Sequence, residues 1–211
     1  VTFGITLKDG FNGFPGDVRV LATYRLSDEN ELFVEYRAES DKDTIFNPTN
    51  HIYFNLTGDF QQSVGEHQIR IAANRYVPLG EDNLPIGVLE EVIDTPFDFR
   101  NFASFSQGFN SQHTQNLLVK GYDHPWILED VATPVEVLSP DGKIKLSVVT
   151  NQPSVVIYTY NFPVEELAAF HGAFSLECQG LPNECNVDGF GSILLEQGDC
   201  FFSQTAYRFS W

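Results

Sequence analysis

Three segments of the chain carry residue types that can move protons without help from a metal or a cofactor. Residues 50–55 contain His51, residues 121–124 contain Asp123, and residues 176–179 contain Glu177. Each segment has the pattern of a strand or of a strand end. An imidazole and a carboxylate that face each other across a cleft form an acid/base pair, which can transfer protons on a neutral substrate. The three segments together therefore predict acid/base chemistry.

His51 and Asp123 each have an ordinary structural explanation as well. His51 follows a Pro-Thr-Asn loop and precedes an apolar run, so it lies at the rim of a sheet, where sites are common and where backbone groups can also satisfy a histidine. Asp123 either caps its own turn or accepts hydrogen bonds from two sugar hydroxyls. In the second case Tyr122 or Trp126 is predicted to pack beside it.

Glu177 is the most informative of the three, because its neighbours are apolar. Phe174, Leu176 and Cys178 surround it in the sequence. A carboxyl group inside an apolar strand is costly to bury unless it is paired or used. Burial would also raise its pKa toward the range of a working base. The functional interpretation is therefore favoured for Glu177.

The remaining histidines and the cysteines do not form a recognisable metal site. His67 and His113 lie in polar stretches and are predicted to be solvated, whereas His171 is predicted to interact with the end of a short helix. The three cysteines have no metal spacing, and neither a His-Glu-x-x-His motif nor a glycine-rich phosphate loop occurs. The sequence therefore predicts neither a metal nor a cofactor.

The charge of the chain disfavours anionic partners. Twenty-nine acidic residues against 12 basic ones give a formal net charge of -17 over 211 residues. Such a charge repels nucleic-acid backbones and anionic membranes. An odd number of cysteines, no signal peptide and no long apolar run lead us to expect a cytoplasmic protein without a disulfide framework.

Apolar residues alternate with polar ones along much of the chain, which is typical of antiparallel strands. The clearest alternation covers residues 18–22, 32–38, 144–148 and 155–160. Turn residues at 27–30 and 140–142 predict two hairpin loops. Residues 101–119 are predicted to be a long loop with a short helical turn, and 164–170 are weakly helical. We therefore expect residues 1–211 to form one all-β domain, a sandwich or a barrel.

Taken in order, these segments resemble the aldose 1-epimerase family, also called galactose mutarotases, almost from end to end. The segments that carry the resemblance are Pro15-Gly16, 49–56, 84–87, 95–100, 121–124, 176–179 and 207–210. The resemblance implies an isomerase with a large antiparallel β-sandwich, the galactose mutarotase-like supersandwich, and an open sugar cleft. It implies that Glu177 is the general base, that His51 is the general acid or one of two histidines sharing that part of the site, and that Asp123 binds sugar hydroxyls. The implied substrate is a free aldohexose such as galactose or glucose.

Two other functions remain open at this point. One is a non-catalytic carbohydrate-binding protein that kept the fold, and the retention of His51, Asp123 and Glu177 argues against it. The other is an epimerase acting on a phosphorylated hexose. The acidity of the chain and the lack of an Arg or Lys cluster near the three segments disfavour an anionic substrate.

The chain departs from the family pattern in two ways. The resemblance implies an earlier segment with an arginine and a second histidine, which this chain does not contain, and a sugar-contacting glutamine near the position of Val156. Because the chain begins with valine and lacks methionine, we expect it to be the C-terminal portion of a mutarotase-like domain. We expect its open sheet edge to be covered by an N-terminal segment or another copy, and the chain alone to be inactive.

Overall fold

The structure is a computed structural model that describes residues 1–164 and 167–211. Strands dominate this part of the chain, and the helices are short. The strands are β1 (Thr2–Leu7), β2 (Val18–Leu26), β3 (Glu31–Ser40), β4 (Thr44–Ile45), β5 (Tyr53–Phe54), β6 (Gln68–Ile71), β7 (Arg75–Tyr76), β8 (Glu90–Glu91), β9 (Ala103–Ser104), β10 (Asp123–Ile127), β11 (Val135–Leu138), β12 (Lys145–Thr150), β13 (Ser154–Tyr158), β14 (Phe174–Gln179), β15 (Leu194–Leu195) and β16 (Cys200–Ser210). The α-helices are α1 (Ser106–Phe109) and α2 (Thr114–Val119).

The described strands form two large antiparallel sheets and one small one. The larger sheet has eight strands in the order β1-β2-β3-β16-β12-β11-β6-β9. The second sheet has six strands in the order β5-β14-β13-β10-β7-β8, and β15 pairs with β4 in a two-stranded sheet. Every strand pair in these sheets is antiparallel. The predicted all-β antiparallel sandwich is confirmed.

The main hydrophobic core lies between the two large sheets. Leu146 and Val148 from the eight-stranded sheet belong to the same buried cluster as Ile157 and Leu176 from the six-stranded sheet. Tyr207 on β16 crosses the interface, because its hydroxyl donates a 2.9 Å hydrogen bond to the backbone oxygen of Leu176. One face of the six-stranded sheet is thereby covered, and the opposite face is left to carry a site.

The alternation in the sequence predicts the strands well and the irregular segments less well. The four clearest alternating stretches correspond to β2, β3, β12 and β13, and both predicted hairpin loops join neighbouring strands. The stretch 101–119 holds a short strand and two helices. The predicted weak helix at 164–170 falls partly on Glu165 and Glu166, which lie outside the described residues, and residues 167–170 form turns and irregular backbone.

Strand β1 forms an exposed edge of the eight-stranded sheet. It pairs with β2 on one side. Val1, Phe3 and Ile5 leave 76%, 61% and 59% of their surface in solvent. An apolar edge strand with unpaired backbone groups is a place where another segment or another chain can pair.

No helix among the described residues has the length and apolar character needed to cross a bilayer.

Candidate active site

The register of four strands brings the three predicted residues to the solvent side of the six-stranded sheet. Ser175 on β14 lies between Tyr53 on β5 and Tyr158 on β13, and Tyr158 in turn pairs with Asp123 on β10. Since Tyr53 is opposite Ser175 in an antiparallel pair, His51, two residues earlier, comes to lie beside Glu177. Side chains two residues apart on a strand share a face, so the whole set points away from the core.

His51 and Glu177 contact each other directly. The distance from His51 Nε2 to Glu177 Oε1 is 3.3 Å. The Glu177 side chain is 11% exposed, whereas that of His51 is 47% exposed. The pair therefore combines a carboxylate held in the sheet with an imidazole open to the cleft, as an acid/base pair requires.

Hydrogen bonds from and to side chains fix the loop that carries His51. Asn47 forms two hydrogen bonds with the backbone of Gly180, at 2.8 Å from its N–H and 3.0 Å to its carbonyl oxygen. Asn50 donates to the hydroxyl of Tyr24 at 3.1 Å, and the hydroxyl of Tyr36 donates to the carbonyl oxygen of Thr49 at 3.1 Å. Gly180 directly follows β14, the strand that carries Glu177. The two hydrogen bonds of Asn47 therefore fix the position of the His51 loop relative to Glu177.

Close packing around the backbone of Gly121 positions Asp123 at the start of β10. Gly121 has φ +149°, and a Cβ at this position would lie 2.5 Å from Asn161 Oδ1 and 2.7 Å from Thr159 Oγ1. The backbone carbonyl of the next residue, Tyr122, accepts a 2.8 Å hydrogen bond from Asn161 Nδ2. A side chain at position 121 would therefore force aside Asn161 and Thr159, whose hydrogen bonds hold the Tyr122 backbone just before Asp123.

Burial gives the two carboxyl groups elevated proton affinity. It raises the pKa of Glu177, against the opposing effects of nearby His51 and of a hydrogen bond from Ser175. Burial also raises the pKa of Asp123 to about 6, and the charge of Glu177 adds to this effect while His51 reduces it. The three side chains therefore sense one another electrostatically, and Glu177 has the raised pKa expected from its apolar neighbours.

Tyrosines other than those predicted flank the site. The ring of Tyr53 lies 4.9 Å from the His51 ring, and that of Tyr158 lies 5.9 Å from it. The prediction that Tyr122 or Trp126 packs beside Asp123 is wrong, since both are fully buried in the core. The reason is strand geometry, because residues one or three positions from Asp123 point to the opposite face.

The other histidines serve the scaffold. His67 is fully buried, and its Nε2 accepts a hydrogen bond from the Leu56 N–H at 3.0 Å, so the prediction that it is solvated is wrong. His113 is half-buried and caps α2 by accepting from the Gln115 N–H. His124 adjoins Asp123 but faces the core, where its Nε2 lies 3.0 Å from Gln115 Oε1 and burial lowers its pKa to about 3.

His171 is also buried, and residues 167–170 just before it form turns and irregular backbone instead of the helix end with which it was predicted to interact. Its ring is stacked on Phe109 at a centroid distance of 3.8 Å, and its Nδ1 lies 2.9 Å from the carbonyl oxygen of Thr159. Within residues 1–164 and 167–211, no group of three or more His, Cys, Asp or Glu side chains is arranged to hold a metal ion.

Comparison with known proteins identifies a family that this chain matches. The family model described as aldose 1-epimerase matches residues 1–208. The chain belongs to the aldose 1-epimerase family. It is 35% identical to the aldose 1-epimerase of Escherichia coli K12, over 99% of this chain and 63% of that protein. It is also 35% identical to the galactose mutarotase of Rattus norvegicus, over 100% of this chain and 63% of that protein.

Solved structures of the aldose 1-epimerase family share the fold. The galactose 1-epimerase from Lactobacillus acidophilus NCFM superposes with a TM-score of 0.89 at 33% identity, covering 99% of this chain and 62% of that one. The chain thus spans a little under two thirds of the length of the relatives that it matches.

Val156 occupies a central place on the site face. It pairs with Glu177 on one side and with Pro125 on the other, and it is 7% exposed. The family resemblance implies a sugar-contacting glutamine near this position. In its place the chain has an apolar side chain beside Glu177, and this side chain cannot form a hydrogen bond.

We expect the Asp123→Asn variant to be more stable than the parent at pH 7. The folded protein raises the pKa of this carboxyl from an ordinary 3.8 to about 6, so the folded state holds the proton more tightly than the unfolded state. The contribution of the Asp123 carboxyl to the free energy of unfolding is therefore most favourable below pH 4, and this contribution is lost as the pH rises through 6. Because the group is only partly buried, the amide should gain about 1–2 kcal/mol of unfolding free energy at pH 7.

Denaturant unfolding at pH 7 and at pH 4 measures this gain, which should shrink toward zero at the lower pH. Asp141→Asn is the matched control with the opposite sign, because hydrogen bonds from Ser139 and from the Lys143 backbone lower the pKa of Asp141 to about 2. The control variant should lose stability at both pH values. An Asp123→Asn variant less stable than the parent at pH 7 would contradict the electrostatic account.

Proposed function

We propose that the gene product containing this chain is an aldose 1-epimerase that interconverts the α and β anomers of free aldohexoses such as galactose or glucose. The observation that carries the proposal is the 3.3 Å contact between the exposed imidazole of His51 and the buried carboxyl of Glu177. The anomeric hydroxyl and the ring oxygen of a pyranose are bonded to the same carbon. An acid and a base that serve these two oxygens must therefore lie close together.

The proposed reaction is a pair of coupled proton transfers. Glu177 takes the proton from the anomeric hydroxyl, the electron pair of that O–H bond forms the carbonyl, and the C1–O5 bond breaks. The ring oxygen receives the proton of protonated His51 as this bond breaks. Rotation about the C1–C2 bond exposes the other face of the aldehyde. The two transfers then run in reverse, which closes the ring as the other anomer and restores both groups.

Asp123 is the proposed binding group for sugar hydroxyls. It lies on the same face as Glu177 but two strands away and two residues along, because it is level with Ser175; at about 4.8 Å per strand and 3.4 Å per residue, the two backbones are roughly 12 Å apart. A pyranose ring that contacts Glu177 with its anomeric end can therefore reach Asp123 with its other hydroxyls. A carboxylate is suited to this task because it accepts two hydrogen bonds.

The electrostatics of the site favour a neutral sugar over a phosphorylated one. Two carboxyl groups, those of Asp123 and Glu177, face the cleft, and each raises the energy of a nearby anion. A carbohydrate-binding protein without catalysis would have no need for a base of raised pKa in contact with a histidine. Both alternatives predict a protein that does not speed the exchange of glucose or galactose anomers.

We propose that residues 1–211 act as one domain in the cytoplasm and that the exposed β1 edge is covered in the working protein. The apolar side chains of Val1, Phe3 and Ile5 support a covering segment or a second copy.

Anomer exchange in the complete gene product tests the proposed function. Polarimetry on freshly dissolved α-glucose and α-galactose should show equilibration far faster than in buffer, in proportion to enzyme concentration. Residues 1–211 expressed alone should self-associate and be much less active. A complete gene product without any effect on equilibration would refute the function, and a fully active monomer of residues 1–211 would refute the need for a covered edge.

A further inference from the structure

Glu177 is also held by a buried polar side chain that is not part of the proposed acid/base pair. The hydroxyl of Ser175 donates a 2.8 Å hydrogen bond to Glu177 Oε1, and Ser175 is fully buried. The two residues are two positions apart on β14 and therefore share its outer face.

Ser175 and His51 contact the same oxygen of Glu177. His51 Nε2 lies 3.3 Å from Oε1, which is also the oxygen bound by Ser175. No described residue donates a hydrogen bond to Oε2. The buried side-chain oxygens that lack a partner in the described residues do not include Oε2, so this oxygen is exposed to solvent. Oε2 is therefore the carboxylate oxygen that remains accessible from the cleft.

We propose that Ser175 is the positioning residue of the general base: it holds Oε1, so that Oε2 is the oxygen that takes the proton of the anomeric hydroxyl. This inference rests on the proposed function. A carboxylate that accepts a hydrogen bond is stabilised in its charged form. Ser175 therefore fixes the orientation of Glu177 and keeps it deprotonated to a lower pH than its burial alone would allow.

Several charged and titratable groups surround Glu177 and interact with it electrostatically. His51 faces it from the loop before β5, and Asp123 and Tyr53 face it from β10 and β5. Cys178 and Tyr207 approach it from the core side of the sheet. Ser175 differs from all of these because it is neutral, so its removal changes a hydrogen bond without changing a charge.

The Ser175→Ala variant of the complete gene product tests the proposal through its pH profile. A general base must be deprotonated, so kcat/KM falls as the pH drops through the pKa of Glu177. Loss of the hydrogen bond should move this fall to higher pH and reduce kcat/KM about tenfold below it, with kcat affected more than KM. Ser175→Cys, with a weaker donor of similar shape, should lie between the parent and the alanine variant.

Ser154→Ala is the matched control. Ser154 is also fully buried on the neighbouring strand β13, but its hydroxyl donates to the backbone oxygen of Gln179 at 2.7 Å. A similar loss of stability in both alanine variants with a shifted pH profile only in Ser175→Ala supports the positioning role. Identical pH profiles in both variants and the parent would overturn it.

An NMR titration of the Glu177 side-chain carboxyl carbon separates this inference from the proposed function, since it needs no turnover. The titration midpoint should lie at higher pH in Ser175→Ala than in the parent. A midpoint that does not move overturns the inference even if the parent is an active epimerase. A parent without anomer exchange overturns the proposed function, and with it the positioning role.

Discussion

Glu177→Gln should lower the rate of anomer exchange in the complete gene product by about 10²–10⁴-fold, the usual contribution of one general acid or base. The amide keeps the shape of the side chain and can still accept from Ser175 through its oxygen, but it cannot take a proton from the sugar. Because the carboxyl is buried and its pKa is raised by burial, the neutral amide should not lower the melting temperature. Polarimetry with sugar at saturating concentration measures the loss in kcat.

Glu184→Gln is the matched control for this variant. Glu184 is 6% exposed, and burial raises its pKa too, but it belongs to a short 3₁₀ helix that follows β14 and not to that strand. It should retain the parental rate. A Glu177→Gln variant as fast as the parent would remove Glu177 from the role of base.

His51→Asn should also slow anomer exchange by about 10²–10⁴-fold, with kcat falling more than KM. Asparagine keeps a hydrogen-bond donor near Glu177 Oε1 but cannot deliver a proton to the ring oxygen. The comparison variant is His113→Asn, which replaces a half-buried histidine that caps α2 with another good capping residue. This control should retain full activity.

The exposure of His51 allows a stricter test of its role. Since 47% of its side chain is open to solvent, imidazole added in solution can enter the space left by His51→Ala. Restored activity that rises with imidazole concentration would identify proton transfer as the missing function. If imidazole has no effect and the variant is as fast as the parent, His51 is not the acid.

The sequence predicts the sheets of this protein because burial of one face imposes a period of two. The same period places Glu177 and Ser175 on one face of β14, so Ser175 could have been found by looking two residues before the carboxylate. It was missed because a buried serine has many structural explanations. Applied to Asp123, the same rule would have excluded Trp126 from the site.

The meeting of His51 with Glu177 could not be derived from local pattern. Their segments are separated by more than a hundred residues, and the pairing of β5 with β14 decides that they lie side by side. The burial of His67 was also hidden, because its neighbours in the sequence are polar while its ring lies 5.8 Å from Phe174 in the core. Both depend on contacts between distant parts of the chain.

The division of β14 into two faces has a consequence for how this protein can change. Ser175 and Glu177 belong to the cleft, whereas Leu176 and Cys178 belong to the core. We expect substitutions on the cleft side, including neighbouring Val156, to alter sugar preference without disturbing the packed interior. Inserting or deleting a single residue in β14 would move its cleft-facing residues to the core face. The carboxylate of Glu177 would then point into the core. The length of this strand is therefore fixed, and libraries for new sugars should vary cleft positions other than Ser175 and Glu177, such as Val156, and never insert residues.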